Sequence, residues 1–295
     1  MNIIQTQGLG KRYRGTWALR DCTLAVPEGS VVALVGHNGA GKSTLLNLLT
    51  GLIGPTEGAA SVLGGEPAGS PAALDGIAYV AQEAPLYQGL TVGETLRVIE
   101  CLNRRWDQQR AEARLAELGI PLNRRVRKMS GGQQAQVALT LALARRPKLL
   151  VLDEPLAMLD PLARFDFMDN VMTAASQDGL SVVLSSHVLA DLERVCDHLI
   201  LLSQGRLQVA GNVTDLLTGH QVLSGPASEA AGLASQLPVV HVTAGPDQAR
   251  ALLSSGTAEP PDGWRRETLN LEEMVLGYLR EPGLSVRSQE QEVTA

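Results

Sequence analysis

The chain has 295 residues, 44% hydrophobic and 19% charged, enough apolar material for one large domain or two smaller ones. A net charge of −6 and an aromatic content of 3% argue against direct nucleic-acid binding, which shows an excess of Lys and Arg and, for single strands, stacking platforms. Cys22, Cys101 and Cys196 are odd in number and widely spaced, which excludes a disulfide framework or a cysteine metal site; they are expected as core or half-buried thiols in a reducing compartment.

The opening stretch MNIIQTQGLGKRYRG carries no apolar signal core, and no apolar run approaches the ~18 residues of a spanning helix. The expectation is a cytoplasmic chain; in a membrane process, a partner must supply the spans. The first segment alternates short apolar strands with turns, and residues 31–35 form a compact apolar strand. GHNGAGKST follows at 36–44, and then a helix pattern at Leu45, Leu46, Leu48 and Leu49. Glycines and prolines over 51–69 mark turns around a short strand, and 76–82 predicts another strand. Helical character dominates from 91 to 118, which predicts a helical insert between two halves of an α/β core, about residues 83–145. The small basic cluster 124–128, with Val126 inside it, reads as a solvated face. A helix at 133–144 and strands at 149–152, 181–185 and 198–202 resume the core. Strands alternating with helices imply a mostly parallel sheet covered on both faces. Composition shifts near 219–230, and the remainder predicts a strand at 239–243, helices at 248–254 and 271–280, a loop at 256–263 and a frayed tail from 285 to 295.

Gly36, Gly41, Lys42 and Ser43 satisfy G-x-x-x-x-G-K-[ST] in the strand–loop–helix context the motif requires. Glycines let backbone N–H groups converge on phosphate oxygens, and the following helix adds its N-terminal N–H groups. Lys42 is placed to reach β- and γ-phosphates, and Ser43 to coordinate Mg²⁺ through its hydroxyl. Asn38, Gly39, Ala40 and Thr44 complete this phosphate loop. LLVLDEP at 149–155 is an apolar strand delivering Asp153 and Glu154 at its carboxyl end. Asp153 suits a metal held through its water shell; Glu154 suits the orientation or deprotonation of attacking water. Two solvated acids at a strand end would mean little alone, and the P-loop gives them a common target.

MSGGQ at 129–133, lying before Asp153 and Glu154, resembles the signature loop of the ATP-binding subunits of ATP-binding-cassette (ABC) transporters. The resemblance covers roughly residues 1–220 and implies a P-loop NTPase fold: a mostly parallel sheet core, an N-terminal antiparallel β subdomain and the helical insert. A small C-terminal α/β extension would occupy 221–295. It implies ATP and Mg²⁺ as ligands and an ATPase coupled to transport. Tyr13, in KRYRGTWAL, resembles the aromatic that stacks on adenine; Gln82 resembles the Q-loop residue that reaches Mg²⁺ and senses the membrane partner, and 90–96, LTVGETL, resembles the segment after it. Asp160, in AMLDP, resembles the D-loop residue at the dimer interface, and His187, in SSHVLADLE, the switch histidine that contacts the γ-phosphate. Ser130, Gly131, Gly132 and Gln133 would meet the γ-phosphate held by a second nucleotide-binding subunit, identical or not. Transmembrane permease subunits would carry the substrate, exporter-type members being the closer likeness, with the chain peripheral on the cytoplasmic membrane face.

Three departures stand out. Met129 replaces a commoner Leu, Leu156 and Met158 replace small or polar residues, and Gln136 stands where the family often has Arg, so a charge near the interface is lost. The extension is expected to brace the dimer, to touch the membrane partner or simply to add stability. A soluble cassette ATPase of the iron–sulfur assembly type stays open as an alternative; a small-molecule kinase conflicts with MSGGQ.

Overall fold

Two long strands open the chain, β1 (Asn2–Tyr13) and β2 (Thr16–Pro27). Buried and exposed residues alternate along both, the period of an antiparallel strand covered on one face. The turn between them is Arg14-Gly15, at φ 46° and 95°, the left-handed pair that a two-residue hairpin demands. Short strands were expected here; four register shifts interrupt the alternation without ending either strand. The chain then leaves this sheet as β3 (Val31–Val35), enters α1 (Lys42–Leu49), and returns as β4 (Glu57–Val62) and β5 (Glu66–Pro67). The N-terminal sheet is antiparallel in the order β2-β1-β4-β5, as expected for that subdomain. The computed structural model describes residues 1–82, 86–157, 159–186, 192–193, 195–257 and 259–280.

The central sheet adds β6 (Ile77–Val80), β7 (Leu149–Leu152), β8 (Ser181–Ser186), β9 (His198–Ser203) and β10 (Arg206–Asn212). Its order is β10-β9-β3-β8-β7-β6, with every pair parallel except β10 with β9. Side chains alternate strictly between its two faces. Val32, Leu34, Val151 and Val183 point into a core with α1 and the N-terminal sheet. Ala33, Val35, Leu152 and Leu184 point into a second core with α5 (Gly131–Ala144) and α6 (Pro161–Asp178). Burial on both faces is why these strands read as unbroken apolar runs rather than alternating ones.

A short helix α2 (Pro71–Gly76), N-capped by Ser70, precedes β6; the glycine- and proline-rich approach hid it in the sequence. The helical insert consists of α3 (Val92–Leu102), α4 (Gln108–Glu117) and the start of α5, which share a cluster of their own built on Val92, Leu96, Leu115, Met129, Val137 and Leu141. Capping boxes at Thr91–Glu94 and Ser130–Gln133 fix where α3 and α5 begin. The basic stretch 124–128 forms a surface turn with Arg125, Arg127 and Lys128 exposed and Val126 buried, as a solvated face should.

The C-terminal region corrects one reading. Residues 248–254, expected as a helix, are strand β13 (Gln248–Leu253), and the small, polar stretch at 219–230 contains strand β11 (Gln221–Pro226). With β12 (Val239–Ala244) and β14 (Arg265–Glu267) they form an antiparallel sheet ordered β12-β13-β11-β14. QARALL consists of good helix formers, but Ala251 and Leu253 are buried against one layer and Leu252 against the other, so packing on both faces overrides propensity. One face carries α9 (Leu271–Arg280), the other α8 (Ala230–Leu233) and Trp264. Val222, Leu252, Met274 and Tyr278 belong to the same apolar cluster as the central sheet, continued through Val213, Leu216 and Leu217 of α7 (Val213–Gly219).

That seam holds a buried polar pair. His220 Nδ1 lies 2.7 Å from the Leu216 carbonyl and Nε2 2.7 Å from the Tyr278 hydroxyl, the pattern of a neutral imidazole donating at one nitrogen and accepting at the other. Burial lowers its pKa, opposed by the bond to Leu216. The unfolded state therefore takes up protons more readily. The stability His220 contributes is present above its ordinary value of 6.5 and is lost as the pH falls through the lower folded value. Thermal unfolding should show a melting temperature that falls between pH 7 and pH 5. Tyr278→Phe should cost about 1–3 kcal/mol at pH 7 by leaving a buried nitrogen unpaired. An unchanged melting temperature in that variant would remove the pair from the account of stability.

Cys22 and Cys196 are buried, which pushes both thiols up to about 12 and leaves them inert, whereas Cys101 is exposed on α3, against expectation. Among the described residues no helix is long and apolar enough to cross a membrane.

Candidate functional site

The parallel strands β3, β8, β7 and β6 are neighbours, so the segments leaving their carboxyl ends meet at one edge of the sheet. β3 delivers residues 36–44, β7 delivers Asp153 and Glu154, β8 delivers Ser185 and Ser186, and β6 leads to Gln82. Strand order alone thus gathers motifs more than 100 residues apart.

In the P-loop, Gly36 is buried with the Leu202 carbonyl so close that an added Cβ would lie 2.4 Å from it. Gly41 sits at φ 104° as the cap of α1, and a Cβ there would meet the Ala18 carbonyl at 2.6 Å. Neither position tolerates a side chain. His37, Asn38, Gly39 and Ser43 are exposed, Thr44 is half-buried and Ala40 is buried. Lys42 is buried: its Nζ donates to the carbonyls of Gly36 (2.8 Å) and His37 (3.3 Å) and pairs with Glu154 Oε1 at 3.2 Å. A buried ammonium held by two carbonyls and a carboxylate is a fixed positive charge at the mouth of a helix N-terminus.

Asp153 and Glu154 are both buried. Glu154 has φ 48°, a left-handed backbone that costs an ordinary residue of order 1–3 kcal/mol and marks functional positions. Ser185 stabilises that bend: its Oγ accepts from Glu154 N–H at 2.7 Å and donates to Asp153 Oδ1 at 2.7 Å. Tyr79 donates to Asp153 Oδ2 at 3.4 Å; burial, then the Asp153 charge, pushes its phenol up to about 12, so it remains a donor. Ser185 and Tyr79 were not singled out in the sequence. Ser185 had a usable signal, its place two residues before His187 at the end of an apolar strand; Tyr79 had none. His187 itself lies outside the described residues, as does Met158.

Gln82 is exposed at the end of the β6 segment. Tyr13 is exposed on the β1–β2 hairpin, with Lys11 Nζ 5.4 Å from its ring centre; the second strand of that hairpin touches the P-loop where Ala18 meets Gly41.

Ser130, Gly131 and Gly132 belong to the helical insert rather than to the P-loop core. Ser130 caps α5, accepting from Gln133 N–H at 3.2 Å while Gln133 Oε1 accepts from Ser130 N–H at 3.2 Å. Ser130 and Gly131 are exposed, so a hydroxyl and the unpaired N–H groups of a helix start face outward. Asp160 is exposed and caps α6 through Ala163 N–H at 3.0 Å. The two caps are adjacent, since a Cβ on Gly132 would lie 3.2 Å from Ala163 Cβ. Gln136 is not simply a lost charge: the guanidinium of Arg114, from α4, donates to Gln136 Oε1 at 3.3 Å.

A family model described as ABC transporter matches residues 19–157. An uncharacterized ABC transporter ATP-binding protein of Synechocystis sp. is 30% identical over 317 residues, 96% of this chain and 86% of its own length. A ribose import ATP-binding protein of Pseudomonas putida is 36% identical over 218 residues, 69% of this chain and 42% of its own. Among solved structures, a dimeric post-hydrolysis state of an ATP-binding cassette bound to ADP and Pi superimposes with a TM-score of 0.63 at 25% identity, covering 71% of this chain and 98% of that one. The chain is an ATPase of the ABC family, one of its ATP-binding proteins.

Proposed function

We propose that the chain is the motor subunit of a membrane transporter, hydrolysing ATP in a dimer whose closing and opening drive partner transmembrane subunits. The observation that carries this reading is the separation of the two halves of chemistry within one chain. Lys42 and Glu154 face one another at the sheet edge, while the exposed Ser130 and Gly131 and the half-buried Gly132 sit on a different module beside Asp160. A second subunit lets the donors of one chain complete the phosphate site of the other, and the relative solved as a dimer with ADP and Pi supports that arrangement. Residues 1–220 would be the cassette, 83–145 its insert, and 221–295 an extension.

In this reading the P-loop backbone and Lys42 bind the β- and γ-phosphates, and Tyr13 stacks on the base. Glu154 accepts a proton from the attacking water, held in place by Ser185. His187 contacts the γ-phosphate, and Gln82 reaches Mg²⁺ and senses the membrane partner. The donor set suits Mg²⁺: oxygen donors from the Ser43 hydroxyl, Asp153 and Gln82, few enough to leave the phosphates to supply the rest. Mg²⁺ when bound neutralises charge on the phosphates. ATP bridging two subunits favours the closed dimer, and a swing from 1:99 to 99:1 needs about 5.5 kcal/mol of differential binding.

The resemblance to exporter-type subunits makes export the expected direction, although relatives named for import share the cassette. Purification of the chain from solubilised native membranes should recover a multispanning subunit in fixed stoichiometry. Inside-out vesicles bearing that complex should accumulate substrate when ATP is added outside. Recovery of all ATPase activity in soluble fractions with iron–sulfur proteins, and none in membranes, would overturn the transport reading.

A further inference from the structure

Three helices meet around one amide. Gln136, on the second turn of α5, is buried, and its Oε1 accepts from Arg114 Nη2 of α4 at 3.3 Å and from Asn170 Nδ2 of α6 at 3.4 Å. Arg114 Nε also donates to Thr140 Oγ1 at 3.1 Å, and Thr140 donates to the Gln136 carbonyl at 2.8 Å. Asn170 is tied to its own helix through the Asp166 carbonyl at 2.7 Å. Nearby, Arg110 of α4 makes a two-armed ion pair with Asp178 at the end of α6. Partial burial of the Arg114 guanidinium, then the neighbouring Arg110, disfavours its charge, opposed by Glu117.

This clasp joins the two helices that begin at the outward-facing caps. Gln136 is three residues beyond Gln133, and Asn170 is ten beyond Asp160 on the helix that Asp160 caps. We propose that Arg114 is a positioning residue for hydrolysis: through Gln136 and Asn170 it locks α5 against α6, so that the Ser130–Gly132 donors and Asp160 meet the second subunit as one rigid surface. The charge that Gln136 does not carry in α5 is supplied from α4, which makes the insert itself part of the lock. Hydrogen bonds are directional, whereas apolar packing is not, so the polar clasp sets the register between the helices.

The proposal rests on the reading of Ser130–Gly132 as contacts made to the nucleotide of a second subunit, and the test separates the two. In the full chain carrying Glu154→Gln, ATP-driven dimer formation is followed by size exclusion, and ATP affinity by equilibrium binding at concentrations where the chain is monomeric. Arg114→Met should weaken ATP-driven dimerisation about tenfold and leave monomer ATP affinity within about twofold, because coupled networks transmit effects of that size to one step and spare independent sites. In the otherwise native chain it should lower kcat about tenfold. The exchange Arg114→Gln with Gln136→Arg restores the α4–α5 pair with donor and acceptor reversed; because a guanidinium cannot accept from Asn170 Nδ2, it is combined with Asn170→Asp, which supplies the acceptor from α6, and should then recover most of both losses, whereas a role as mere filler at position 114 predicts no recovery. If Arg114→Met fails to fold, Asn170→Leu cuts the other arm and should weaken dimerisation in the same way. Unchanged dimerisation and turnover in the foldable variant, or equal loss of monomer ATP binding, overturns the proposal. Gly131→Asp marks the underlying reading: if it leaves dimerisation intact, the signature-loop contact is wrong, and if it abolishes the dimer while Arg114→Met does not, only the clasp is wrong.

Discussion

Glu154→Gln is expected to bind ATP as tightly as the native chain, to lose turnover by about 10²–10⁴-fold, and to accumulate as an ATP-bound dimer. The side chain is buried at the end of β7, its backbone held at φ 48° by the hydroxyl of Ser185 and its carboxylate 3.2 Å from Lys42. Glutamine keeps that shape and the hydrogen bond from the main-chain N–H, which belongs to the backbone and not to the side chain. It removes the one property a general base requires, an oxygen that takes a proton. It also removes a negative charge from beside Lys42, which should favour phosphate there rather than oppose it. Binding and hydrolysis therefore separate in this variant. Phosphate release and size exclusion with ATP measure the two, and native steady-state hydrolysis would sink the role given to Glu154.

Lys42→Ala has the opposite signature. Nζ is buried, donates to two P-loop carbonyls and pairs with Glu154, so it organises the loop as well as offering charge to a phosphate. Alanine forfeits a charge-assisted contact to the nucleotide, which by the usual 1.5–3 kcal/mol corresponds to about 10–100-fold in affinity. It also takes a cation away from a buried carboxylate. Equilibrium binding of ATP should show the affinity loss, no ATP-dependent dimer should form, and turnover should fall with it. Unchanged affinity and turnover would refute the P-loop assignment. The pair of variants is diagnostic because one retains ATP and stalls, and the other never holds it.

The placement of the candidate motifs was legible because they end strands or begin helices, where local sequence dictates geometry. Gly36 and Gly41 are forced by carbonyls that leave no room for a Cβ, and the Ser130–Gln133 cap follows from residue types three apart. The illegible parts depend on distant neighbours. Ser185 acquires its role only when β8 lies beside β7, and Arg114 only when α4 lies across α5. Gln136 looked like a missing charge because a linear reading compares a position with itself, while the structure brings the charge from 22 residues upstream. The fold was readable in the parallel core, where runs of Val and Leu announce burial on both faces. It failed at residues 248–254, where alanine and leucine serve helix and strand equally and the choice falls to the layers on either side.

The apolar seam that joins the C-terminal sheet to the central core has a consequence in time. A chain emerging from the ribosome completes both nucleotide motifs by Glu154, yet Leu216, Leu217 and Val222 cannot find Met274 and Tyr278 until α9 has been made. From 221 to 280 is 60 residues, and synthesis at about 5–20 residues/s takes roughly 3–12 s. For that interval the nascent ATPase carries a bare hydrophobic flank, and α9, the last helix among the described residues, closes it.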